Sequence, residues 1–218
     1  MTSINMYRFQ WQQTVERMRG LFVFITIVQL LFTLLLTQYA TYNMIQYQMA
    51  STAAILGVTL LTIIFGAFKL GAVENADVFR LPPSIKWRTD VVMLILLCLY
   101  GSVTSLLVGY IKFLSIKDTE VLYVDRTLIN ELYFYTNILV SFSMMLVVAI
   151  GIYTFRLCMT YSVVRAVVYA AAIIVVSYIA FDKVIQTIPS TTQWLGLTAM
   201  LLFMEWLFLH WQYKGGRR

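Results

Sequence analysis

Apolar residues dominate six stretches of this chain, and polar or charged residues gather between them. The stretches run over Leu21–Gln38, Thr52–Phe68, Val91–Ile111, Asn137–Phe155, Val163–Phe181 and Trp194–Trp211. Each is close to the ~20 residues with which a helix crosses a hydrocarbon layer of ~30 Å. None alternates with the period of a barrel strand, and lipid tolerates no unpaired backbone, so all six are predicted to be helices. The expected fold class is all-α: a polytopic membrane protein with six transmembrane helices.

The intervening segments carry their own patterns. Over Met6–Arg19, Tyr7, Trp11, Val15 and Met18 fall on one side of a helix and Arg8, Gln12, Glu16 and Arg19 on another. Such a helix is expected to lie flat among the inner headgroups. Residues 1–20 therefore read as an interfacial helix and 21–218 as the transmembrane domain. The connection Gly71–Asp90 reads GAVENADVFRLPPSIKWRTD. Its Ala72–Arg80 part suits a short helix that Leu81-Pro82-Pro83 ends, with Ser84 capping the third span and Lys86, Trp87 and Arg88 at the headgroups. The connection Ser115–Thr136, with Val121, Tyr123, Leu128, Ile129 and Leu132, suits a short helix on the outer surface.

Composition sharpens the picture. Hydrophobic residues are 61% of the 218 and charged residues 12%, against about 45–50% and about 25% in soluble domains. Mean hydropathy is +0.79. Too few charged side chains are present to coat a soluble particle, which excludes a soluble enzyme, a disordered chain and a secreted disulfide scaffold. The net charge of +6 would suggest nucleic acid in a soluble protein, but here its distribution is topological and no nucleic-acid partner is expected. Arg8, Arg17, Arg19, Lys69, Arg80, Lys86, Arg88, Arg156, Arg165, Lys214, Arg217 and Arg218 fall on one side of the six spans, and only Lys112, Lys117, Arg126 and Lys183 on the other. This bias predicts a multi-pass protein of the plasma membrane with both termini cytoplasmic. The first twenty residues are polar and aromatic, so no signal peptide is expected.

Catalytic patterns are not seen. His210 is the single histidine, Cys98 and Cys158 lack metal-ligand spacing, and no GxSxG, HExxH or GxxxxGK[ST] occurs. No catalytic, metal or cofactor site is expected on this chain. Polar residues inside the spans are more informative. Thr26, Gln29, Thr33 and Thr37 make a stripe along the first span, and Gly101, Ser105 and Gly109, with Ser102 beside them, make a small-residue ridge along the third. These suit either close helix packing or the lining of a polar path. Glu205 is the one acid well inside an apolar run, and Arg165 lies at similar depth in the preceding span. Three readings stand for Glu205: an ion pair with Arg165, a snorkelling residue, or a proton-coupling site.

The order of parts, an N-terminal interfacial helix, six spans and FRLPPSIKWRTD before the third, resembles the permease subunits of type-two bacterial ATP-binding-cassette exporters. In that family the loop between spans two and three forms a coupling helix that docks on a separate ATPase, and a Leu-Pro followed by Ser and basic residues leads into the third span. The resemblance implies coupling roles for Glu74, Asp77, Val78, Phe79, Arg80, Leu81, Pro82, Ser84, Lys86 and Arg88. Pro83 stands where a non-proline residue is usual. It further implies no cofactor on this chain, ATP on a cytoplasmic partner subunit, and a second permease subunit, identical or a sister, in the bilayer. The expected function is the outward movement of an amphiphile such as a peptide, toxin or drug. A regulatory or immunity protein without transport, and a proton-coupled carrier using Glu205, are the alternatives.

The topology is open to cysteine labelling once Cys98 and Cys158 are removed. Gln46→Cys, Asp125→Cys and Ser190→Cys are expected to react with an impermeant maleimide from outside. Ser3→Cys, Asn75→Cys and Gly215→Cys are expected to react only after permeabilisation. A reversed pattern for any pair overturns the six-span arrangement.

Overall fold

All three prolines of the chain, Pro82, Pro83 and Pro189, stand outside the apolar stretches, so nothing in those stretches interrupts a helical hydrogen-bond ladder. A computed structural model describes residues 3–37, 44–71, 83–116, 137–184 and 191–215. Among them are six helices: α1 (Ser3–Thr37), α2 (Met44–Gly71), α3 (Pro83–Ile116), α4 (Ile138–Tyr161), α5 (Val163–Val184) and α6 (Thr191–Gly215). Described stretches of α2, α3 and α4 are long and apolar enough to cross a membrane: Ala54–Gly71, Lys86–Val108 and Ile138–Thr160. Shorter apolar stretches, Val163–Val175 and Trp194–Phe208, lie in α5 and α6. The chain is a membrane protein with an all-helical fold.

Successive helices run in opposite directions. Gln29 of α1 meets Thr59 of α2, while Lys69 further along α2 reaches back to the Arg17 carbonyl. Thr59 and Ser105 meet across α2 and α3, and Ser102 of α3 donates to Met145 of α4, whereas Asp90 lies beside Tyr153. One residue, Ser162, separates α4 from α5. Its backbone is extended, its N–H bonds to the Cys158 carbonyl, and its own carbonyl accepts from Ala166. Helix α6 then returns parallel to α4, since Trp194 donates to Ser143 near one end and Glu205 lies at Gly151 further along. Arg17, Lys69, Lys86, Arg88, Arg156 and Arg165 consequently gather at one end of the bundle.

The helices form two groups that share α4. Methionine, isoleucine and leucine from α1, α2 and α3 pack on Met145, Ala149, Tyr153 and Leu157, a four-residue spacing along one side of α4. The other side of α4 presents Cys158 and Phe155 to Ala166, Tyr169 and Ile173 of α5 and Phe208 of α6. Both α5 and α6 pack on α4 and touch each other little. Along the apolar stretches many outward-facing residues are large and apolar, as with Leu61 at 65% and Val164 at 71% exposure. In water such a surface would aggregate, whereas hydrocarbon is its ordinary surrounding.

Several sequence expectations change. The segment Met6–Arg19 does not form a separate element lying across the bundle end. Helix α1 continues through Arg19 and Gly20 without a break for 35 residues, or about 52 Å at 1.5 Å per residue. The buried side of its first turns is also different. Gln10, Thr14 and Met18 face the bundle, Thr14 returning its hydroxyl to the Gln10 carbonyl, while Val15 stays 37% exposed. Met18 and the half-buried Trp11 come from the expected apolar side, and Thr14 joins them because it satisfies its own hydrogen bond and so buries cheaply. Pro83 is the first residue of α3, the position where a missing N–H costs nothing, so Ser84 lies in the first turn instead of capping it. Residues 72–82, with the expected Ala72–Arg80 helix, and 117–136, with the expected outer-surface helix, lie outside the described residues.

Helix association in lipid rests on close approach instead of on the hydrophobic effect. Gly101 shows this: a Cβ there would sit 2.8 Å from Thr59 Cγ2 and 3.2 Å from Ile63 Cδ1. By contrast a Cβ at Gly57 meets nothing within 4 Å. Gly101→Ala is therefore expected to lower thermal stability in detergent by about 1–3 kcal/mol through overpacking. Gly57→Ala is expected to be neutral or stabilising by up to about 1 kcal/mol through helix propensity. Equal effects of the two would refute the close approach.

Candidate functional site

Among the described residues three polar clusters are buried between the helices. The first joins α1, α2 and α3. Gln29 Nε2 donates to Thr59 Oγ1 at 3.1 Å and to Ser105 Oγ at 2.9 Å, and the two hydroxyls lie 3.2 Å apart. Thr59 also donates to its own Ile55 carbonyl at 2.7 Å. One turn away, Thr26 and the Tyr100 hydroxyl share a hydrogen bond, with Phe22 edge-on to the Tyr100 ring at 5.2 Å. All these groups lie at interfaces where each unsatisfied donor would be costly, which fixes the register of three helices.

The second cluster lies toward the basic end. The Tyr153 hydroxyl of α4 donates to Asp90 Oδ2 of α3 at 3.0 Å, and both side chains are buried. The positive charges of Lys86, one turn earlier on α3, and of Arg17 on α1 act on the same carboxyl. Here a carboxyl group holds three helices through one hydrogen bond and two charges. Nearby, the Arg156 guanidinium of α4 stacks over the Phe68 ring of α2 at 4.5 Å, and Arg88 reaches the Tyr7 hydroxyl at 3.5 Å.

The third cluster joins α4, α5 and α6. Glu205 of α6 is buried at 1% exposure, although it is charged in water and surrounded by Leu, Phe and Trp in sequence. Its Oε1 lies against Gly151 of α4: a Cβ at that position would stand 3.0 Å from Oε1 and 3.6 Å from the Tyr169 hydroxyl. The Tyr169 hydroxyl lies against both the Glu205 carboxyl and Thr154 without hydrogen-bond geometry to either. Tyr153 and Thr154 are consecutive in α4, so Asp90 and Glu205 lie at the same level on its two sides.

The structure brings together some sequence-predicted residues and not others. Thr26 and Gln29 enter the first cluster, and Ser102, Ser105 and Gly101 make the α3 side of the interface. The side chains of Thr33 and Ser84 are outside the described residues, as are Glu74, Asp77, Val78, Phe79, Arg80, Leu81 and Pro82. Lys86 faces Asp90, and Arg88 is exposed at the same end. Tyr169, one turn beyond Arg165, takes the position beside the Glu205 carboxyl. Asp90 was missed because it closes a charged segment and reads as its last loop residue. Tyr153 and Tyr169 were missed because a lone tyrosine in an apolar run reads as lipid-interface or core. The available signal was polarity at four-residue spacing with buried apolar neighbours.

Among the described residues no group of three His, Cys, Asp or Glu side chains comes together to hold a metal ion, and Cys98 and Cys158 form no disulfide and are buried in separate clusters. What the clusters offer is carboxamide, hydroxyl and carboxyl groups at helix interfaces. No protein-family model, curated protein or solved structure matches this chain.

The second cluster makes a quantitative prediction. Tyr153→Phe removes the donor from a buried carboxyl and is expected to cost about 1–3 kcal/mol in detergent unfolding. In a double-mutant cycle with Asp90→Asn the two losses should be less than additive, since they share one interaction. Full additivity would show that the hydroxyl and carboxyl act independently.

Proposed function

We propose that this chain is the membrane-spanning permease subunit of an ATP-driven exporter. In this reading all six helices span the plasma membrane, both termini are cytoplasmic, and a second permease subunit, identical or a sister, completes the path. The chain binds no cofactor and has no catalysis of its own, and a cytoplasmic partner subunit binds and hydrolyses ATP. The cargo is an amphiphile such as a peptide, toxin or drug, moved outward.

The observation that supports this reading best is the shared use of α4. One group of helices packs on one side of it and α5 and α6 on the other, so the two groups are able to shift about a common element. The α2 and α3 ends that flank residues 72–82 lie at the basic end, where Lys69, Lys86 and Arg88 suit the cytoplasmic headgroup layer. A docked ATPase pushing there would act on α2 and α3 together, and through Asp90 and Tyr153 on α4.

The experiment is extraction in mild detergent followed by identification of co-purifying ATPase. An ATPase partner is expected, and Glu74→Lys with Asp77→Lys, or Val78→Ala with Phe79→Ala, should weaken its binding at least tenfold without impairing membrane insertion. Lys117→Glu and Asp118→Lys serve as controls at the opposite end and should leave binding unchanged. Absence of any ATPase, or indifference of its affinity to residues 74–79, refutes the permease assignment.

A further inference from the structure

Glu205, Tyr169 and Thr154 come from three helices and converge on one point, and they are 1%, 2% and 0% exposed. Glu205 Oε2, the Tyr169 hydroxyl and Thr154 Oγ1 are each closed off from solvent and have no hydrogen-bond partner. Buried side-chain polar atoms are usually paired, and three unpaired ones gathered about the Tyr169 hydroxyl call for an explanation beyond packing. Gly151 adds to the case. It keeps the space beside Glu205 Oε1 open, where any side chain would press on the carboxyl and the tyrosine hydroxyl.

The chemistry of the three groups narrows the ligand. A carboxylate only accepts hydrogen bonds, a carboxylic acid also donates one, and both hydroxyls do either. Among the described residues no lysine or arginine charge acts on the carboxyl. The group facing it is Tyr169 of α5, and Cys158 of α4 lies beside that same tyrosine. Arg165 is one turn away from Tyr169 on α5. His210, further along α6, is exposed and stacked on Trp206 at 5.4 Å. Asp90 is on the far side of α4, held by Tyr153. A single small cation therefore completes the set, and the smallest fits a carboxyl beside one rotatable hydroxyl that has a second next to it.

We propose that this cluster is a proton-binding site, at which Glu205 takes up and releases one proton while the Tyr169 and Thr154 hydroxyls exchange donor and acceptor roles. With the proton bound, the carboxyl O–H donates to the Tyr169 oxygen and the Tyr169 O–H turns toward Thr154. With the proton released to water, the Tyr169 hydroxyl turns back and donates to the carboxylate. The seam between α5 and α6, which touch little, is the route by which water and the proton reach the cluster. This site is independent of any ATPase and would persist in a subunit that binds none.

The test is pH-difference infrared spectroscopy of the full chain reconstituted in phosphatidylcholine vesicles, in choline and in sodium buffers. A carboxylic-acid carbonyl band is expected to give way to carboxylate bands as pH rises. The band should be lost in Glu205→Gln and retained in Asp90→Asn. In Tyr169→Phe it should move to higher frequency, because its hydrogen-bond partner is gone. Should Glu205→Gln fail to fold, Glu205→Asp and Tyr169→Phe carry the assignment through shifts of the same band. A difference spectrum unchanged by every Glu205 and Tyr169 variant refutes the proposal, as does a carbonyl band that never titrates. A midpoint that moves with sodium concentration also refutes it, and identifies an alkali cation as the ligand.

Discussion

Helices in hydrocarbon gain little from burying apolar surface against one another, because the tails they leave are as apolar as the side chains they meet. Association then depends on how closely backbones approach and on where polar groups find partners. Here both conditions are met most often along α4. It contributes Met145, Ala149, Tyr153 and Leu157 to one core and Phe155 and Cys158 to the other. It also carries Ser143, Tyr153 and Thr154, the α4 members of three separate polar contacts or clusters. Asn137 secures its start, its side chain accepting from the Leu139 N–H at 2.9 Å.

Much of this was legible in the sequence, and the limits have physical reasons. Length and apolarity located the helices, because a spanning helix must satisfy its backbone internally and any proline or charge cluster marks its end. The ends themselves were less legible. Helix α3 starts at Pro83, just ahead of the Ser84 expected to cap it and well before its apolar stretch, because Lys86 and Arg88 are good helix formers and the Trp87 ring tolerates a boundary position. The identity of buried faces was harder still. In water an apolar stripe points inward, but in lipid apolar side chains suit either side, so the faces of α1 and α5 are set by where Gln29 and Tyr169 find neighbours.

The polar clusters were half visible for the same reason. Gln29 and Glu205 stand out because amides and carboxyls are rare inside apolar runs, and a search for expensive residues finds them. The residues gathered around them do not stand out. Thr59, Thr154 and Tyr169 are cheap enough to bury that their presence in a span says little until the neighbouring helix is known. Arg165 illustrates the converse, since matching depth on adjacent helices does not fix the angle about each axis, and Tyr169 takes the place beside the acid.

The single residue between α4 and α5 has a consequence for phase. Ser162 closes one helix and opens the next, leaving no slack in which a change of length could be absorbed. An added or deleted residue between Val163 and Tyr169 would turn the rest of α5 by about 100°. Tyr169 would then leave the Glu205 face while every hydrophobic count in the chain stayed the same. The spacing from turn to tyrosine is thus a ruler whose unit is one residue, and in this hairpin chain length itself is a determinant of chemistry.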